Sequence, residues 1–144
     1  MKASGIAGVV VVAIGLAYAL WPTPAPVLNG AEGDAVQGGP LADVTLPDTL
    51  SEEAVLGQRA FEAKCAACHG NNAAGQDGIA PPLVHVIYEP GHHGDESFQM
   101  AAAQGVRAHH WPFGNMPPVE GVTRADVATI ITYIRELQRA NGIN

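Results

Sequence analysis

Cys65-Ala66-Ala67-Cys68-His69 sets two thiols about one helical turn apart and follows the second at once with an imidazole. These are the two cysteines of a 144-residue chain, so no disulfide framework is available, and a bond between them would close only a short loop. A redox dithiol normally opens a helix after a strand, where the helix N-terminus lowers a thiol pKa; this pair follows a helical stretch. A structural zinc site needs about four ligands, and there is no second cysteine pair to supply them. A bare disulfide leaves His69 without a role. The spacing fits c-type haem attachment, in which the two thiols reach the two vinyl groups of one haem and the next residue brings an imidazole under the iron.

An iron held by one histidine has a sixth position, and its occupant sets the chemistry. Met116 lies in Gly114-Asn115-Met116-Pro117-Pro118, where prolines stiffen a loop able to return a thioether to the iron. Met100 is the rival, but it sits in an amphipathic stretch beside Phe98 and Ala101, where a methionine reads as core. Met116 is therefore the expected axial ligand opposite His69.

Outward from the motif the elements read as helices. Ser51 is a candidate N-cap, with Glu52 and Glu53 in the first turn, and Leu56, Ala60, Phe61 and Cys65 recur at helical spacing as far as Lys64 or Cys65. Asn71 to Pro82 reads as loop. Asp95 is expected to cap a shorter helix ending at Gln104-Gly105, and the proline- and glycine-rich run His109 to Gly121 forbids regular structure. Thr123, with Asp126 three residues on, opens the last helix as a capping-box variant. Val127 to Ile134 is β-branched enough for a strand, yet Val127, Ile130, Ile131, Ile134 and Leu137 keep helical spacing. Arg135 and Arg139 fall in the last turns, where the dipole favours cations, and Asn141-Gly142 supplies the stop. The expected domain, residues 51–144, is all-α.

The upstream sequence has two characters. Ala3 to Trp21 holds no charged residue and would span roughly 28 Å as a helix, close to a hydrocarbon core. Residues 1–21 are thus expected to anchor the chain in the membrane, with Lys2 keeping the N-terminus in the cytoplasm and the remainder exported. A cleaved signal peptide ending near Ala17-Tyr18-Ala19 is the competing reading. Residues 22–50 carry five prolines, four glycines, four acidic residues and no cation, which reads as a flexible acidic linker.

From Ser51 to Asn144 the chain resembles a class I monohaem cytochrome c. The matching residues are Gly57 and Phe61, the Cys65–His69 motif, Pro81-Pro82-Leu83, Met116-Pro117 and Tyr133-Ile134. The resemblance implies three main helices around one covalent haem c, with Gly57 and Phe61 crossing against Ile130 and Tyr133. It also implies a proline carbonyl, best matched by Pro81, that accepts from the proximal imidazole and tunes its donation to iron. Leu83 is expected to cover the haem, and Arg107 and Trp111 to donate to its propionates. With its anchor and acidic linker the chain looks like a membrane-tethered bacterial respiratory cytochrome. That implies electron transfer rather than enzymatic turnover, from a periplasmic haem domain. The partners it implies are a quinol–cytochrome c oxidoreductase and a terminal oxidase.

Charge narrows the partners further. Seven Lys+Arg against fourteen Asp+Glu give a formal net charge of −7, which excludes nucleic-acid binding and leaves no lysine-rich face for steering. The stretch from His85 to Trp111 holds more imidazoles than the family pattern needs. The pairs His92-His93 and His109-His110, with Asp95, could bind a second metal such as copper. Alternatively, His92 and His93 cap a loop while His109, His110 and Trp111 cover the haem edge, since no spacing here fixes a closed coordination shell. Two rivals to the electron carrier follow: a haem enzyme or sensor of gas or peroxide whose sixth ligand is displaced, and a copper-handling protein built on the histidine pairs.

Overall fold

A computed structural model describes residues 38–144. The expected anchor, residues 1–21, and the linker as far as residue 37 lie outside the described residues. Among the described residues the helices are α1 (Glu52–Lys64), α2 (Ala66–His69), α3 (Asp95–Gln104) and α4 (Arg124–Ala140), with 3₁₀ turns at Asn71–Ala73 and Val86–Tyr88. They contain no strand, only the isolated bridges Gln76–Ala80 and Val106–Met116. None of their helices is long and apolar enough to cross a membrane.

Local signals set the helix ends. The Ser51 side chain accepts from Ala54 N, satisfying one of the free donors of the first turn. Thr123 and Asp126 complete a reciprocal capping box, and α4 stops at Asn141 with Gly142 left-handed behind it. At α3 the expectation is corrected by one residue. Gly94 is the N-cap, and Asp95 stands in the first turn with its carboxylate turned to Arg135 at 2.9 Å.

The core is the crossing of α1 and α4. Val127, Ile130, Ile131, Ile134 and Leu137 are all buried, the helical face their spacing described. Phe61 meets Tyr133 with ring centroids 5.7 Å apart. Gly57 sits where a Cβ would come 1.9 Å from the Thr129 carbonyl oxygen, so only glycine allows the two backbones this close. Ser51 adds a polar tie, its hydroxyl donating to Glu136 at 2.6 Å.

Arg135 departs from its expected role. Instead of an exposed cation complementing the helix dipole, its side chain is 9% exposed. It donates to Asp95, to the carbonyls of Tyr88 and His93, and to Gln138, with the Phe98 ring 5.0 Å from the guanidinium. Five donors in a fixed fork suit this use, because a buried guanidinium must find acceptors for its N–H groups.

Residues 38–50, expected within the linker, run against the domain. Leu41 N and Ala42 N donate to the Ala74 carbonyl at 3.0 and 2.9 Å, and Gly38 N donates to Asp77 O at 2.9 Å. Thr45 exchanges two backbone bonds with the Asn141 side-chain amide, at 2.9 and 2.8 Å. Val44 and Leu50 pack on the core. The chain is thus engaged with the domain well before Ser51 begins α1.

Candidate functional site

A cavity of about 760 Å³ opens among α1, α3, α4 and the loops between them. Its wall is mainly apolar and includes Leu83, Phe98, Val127 and Ile131. A volume of this order is that of a cofactor site, and a domain of this size could not leave it unfilled without losing much of its core.

Cys65, Cys68 and His69 all stand on that wall. The short α2 holds them there, and Gln76 fixes its carbonyls by donating to Ala66 O at 3.1 Å and Ala67 O at 2.9 Å. The Cys65 thiol is pushed up to about 11 by burial and, next, by neighbouring Cys68. A redox dithiol needs the opposite, a thiolate at neutral pH. His69 is 9% exposed, and burial holds its imidazole below the ordinary range, partly opposed by its bond to Pro81. Its Nδ1–H donates to the Pro81 carbonyl at 2.9 Å, which leaves Nε2 as the lone-pair nitrogen.

Met116 lines the same cavity from the loop after α3. Its backbone is pinned by a two-bond bridge, Val106 N to Met116 O and Met116 N to Val106 O, both 2.9 Å. Ala108 N donates to Asn115 Oδ1 at 2.9 Å and closes the loop between. Gly105 makes the approach possible: its φ is +75°, and a Cβ there would lie 2.5 Å from Met116 O. Met100 also touches the cavity wall, but it is 50% exposed and so is not the core residue its helical spacing suggested.

The two expected propionate donors part company. Trp111 lines the cavity, stacks on Phe113 at 5.8 Å and buries its Nε1 with no hydrogen-bond partner among the described residues. A buried indole N–H without an acceptor is uncommon, and here it belongs to a residue of the cavity wall. Burial pushes the nearby Tyr88 phenol up, and the Trp111 indole partly offsets this, though the two do not meet in hydrogen-bond geometry. Arg107 is exposed and is not among the residues that line the cavity. Val106 and Ala108 on either side both face the cavity, and in extended chain the residue between them points the other way.

The histidines gather. His92, His93 and His110 bring ligand nitrogens within 4.8 Å of one another, while Asp95 is taken by Arg135. Loss of solvation within the group, followed by repulsion from His109, His93 and His92, holds the His110 imidazole below its ordinary value. His85 stands apart, edge-on to Trp111 at 5.2 Å.

Two features escaped the sequence. The Val106–Met116 bridge joins residues ten apart with no hairpin turn signature between them, and the polar hub on Arg135 draws acceptors from three separate segments.

The apolar cavity, the paired thiols and the tautomer-fixed imidazole all fit a covalently attached haem. Comparison with known families agrees: the family model described as Cytochrome c matches residues 54–138, from the first turn of α1 to the last turn of α4. No curated protein matches the chain.

Proposed function

The chain belongs to the cytochrome c family of haem-based electron carriers, and we propose that it shuttles single electrons between membrane respiratory complexes. Haem c is bound covalently through Cys65 and Cys68, and it supplies the one-electron iron couple. In this reading His69 Nε2 and the Met116 thioether would hold the iron. The observation that carries it is the wall of one cavity, which holds a buried imidazole oriented by Pro81 and a methionine fixed by a paired backbone bridge.

Each group then has a task. The Pro81 carbonyl keeps the His69 ring in one orientation through both oxidation states. Leu83, Phe98 and Ile131 exclude water, which limits reorganisation as charge changes. A thioether ligand and an apolar surround both favour ferrous iron, giving a relatively high potential. Trp111 Nε1 would donate to a propionate. With His69 and Met116 both holding the iron, the metal would have no open position for a substrate.

The acidic domain carries six Lys+Arg against ten Asp+Glu between residues 51 and 144, so it lacks the basic face that would steer it to acidic partners. Residues 1–21 anchor it instead, with the haem domain in the periplasm, and confinement near the membrane raises the effective concentration of neighbouring complexes. A quinol–cytochrome c oxidoreductase is the donor and a terminal oxidase the acceptor.

Met116→Ala in the haem-loaded protein tests the ligand set. The ferric form should lose its near-infrared sulfur-to-iron band, and the ferrous form should bind carbon monoxide, while Met100→Ala leaves both unchanged. The opposite pattern would overturn the assignment. For the partners, the full chain in native membranes should be reduced by quinol and oxidised by oxygen with weak salt dependence; an inert haem there would refute the shuttle.

A further inference from the structure

We propose that His92, His93 and His110 form a binding site for one divalent transition-metal ion of the zinc–copper class, separate from the haem iron. Their ligand nitrogens lie within 4.8 Å of one another, and their ring centroids are 4.7 Å (His92–His93) and 5.3 Å (His92–His110 and His93–His110) apart. Nitrogens bound to one tetrahedral zinc stand about 3.3 Å apart, a contraction that small rotations of the exposed His92 and His110 rings supply.

Adjacent histidines usually diverge, and the backbone explains why these do not. His92 N and His93 N both donate to the Glu89 carbonyl, at 3.1 and 2.8 Å, so the chain is curled into a tight turn there and both rings reach one side. The turn is held from beneath, because Arg135 donates to the His93 carbonyl at 2.6 Å.

Ring orientation also suits a metal. His93 Nδ1–H donates to Ile87 O at 2.6 Å, leaving Nε2 as the donor lone pair, the outer bond that metal-ligating histidines characteristically make. His109 makes the equivalent bond to Arg107 O at 2.8 Å and lies against His110 with centroids 4.2 Å apart, supporting the third ligand without being one of the three. His92 and His110 make no side-chain hydrogen bond among the described residues, so neither ring caps a loop.

The donor set selects the ion. Three imidazoles and no carboxylate disfavour magnesium and calcium, which take oxygen, and suit zinc and copper, with a fourth position left to water. His93, His109 and His110 also border the cavity wall, so the bound ion would stand beside the haem.

The test titrates zinc sulfate into the untagged, haem-loaded full chain, followed by calorimetry and by metal analysis after dialysis. One zinc per chain should be retained beyond the haem iron. His92→Ala, His93→Ala and His110→Ala should each weaken binding at least tenfold, while His85→Ala leaves it unchanged. Unaltered visible spectra will show that each variant keeps its haem site. Absence of saturable one-site binding, binding that survives both His92→Ala and His110→Ala, or an equal loss in His85→Ala would overturn the proposal.

Discussion

Nothing but hydrogen fits between Gly57 and Thr129: a Cβ at residue 57 would lie 1.9 Å from the Thr129 carbonyl oxygen and 3.0 Å from Ile130 N. The obstruction is backbone, which cannot rotate aside as a side chain can. Gly57→Ala should therefore push α1 and α4 apart and destabilise the haem-loaded protein by about 3 kcal/mol. Guanidinium unfolding measures this. Arg59→Ala, at an exposed position of the same helix, should leave the midpoint nearly where it was. An unchanged midpoint in Gly57→Ala would contradict the crossing geometry.

Replacing Arg135 by Met keeps the stem and removes the guanidinium. The exposed Asp95 carboxylate would return to water, but Gln138 Oε1 and the His93 carbonyl would lose a buried donor, at about 1–3 kcal/mol for each group left unsatisfied. Arg139→Met, at an exposed position with a 3.9 Å ion pair, should change stability by under about 1 kcal/mol. Unfolding curves for the two variants give the contrast directly.

Trp111→Phe preserves stacking on Phe113 and deletes the orphaned Nε1–H. If that N–H serves a propionate, it stabilises the ionised form, so its loss should raise the propionate pKa. The pH at which the midpoint potential begins to change should move upward, as read by potentiometry across a pH series. An unmoved transition would assign Trp111 to packing alone.

Tyr133 supplies a pH dependence whose sign is fixed. Burial, and next the charge of Glu62, raise its phenol from 10 to about 12. Between those values the unfolded chain has released a proton that the folded protein keeps, so this contribution to stability is complete below pH 10 and is lost as pH rises through about 12. Tyr133→Phe should flatten that part of the stability profile, relative to the parent protein, in denaturant titrations between about pH 9 and 12.

How legible the fold was depended on the range of each signal. Ser51, Thr123 and Asp126 act within one turn of themselves, so their caps could be read from three or four letters. The apolar face of α4 is likewise periodic and local. Arg135 shows the limit: its position in a last turn suggested a dipole partner, but acceptors from Tyr88, His93 and Asp95 converge on it only after folding. The same holds at the site. Cys65, Cys68, His69 and Pro81 share one short stretch of chain, and the cavity gathers them as the motif implied. The histidine convergence depends on a tight turn at Glu89, which Pro90-Gly91 announces, but the meeting of its rings with His110 comes only with folding.

The hydrogen bonds between residues 38–42 and the Ala74–Asp77 loop also govern how the domain is moored. Whatever precedes Gly38 leaves beside Asp77, on the loop that runs from His69 to Pro81. A pull on the upstream chain bears on the loop that ends at Pro81, whose carbonyl orients the His69 imidazole. The Met116 loop, on a separate segment, makes none of these bonds.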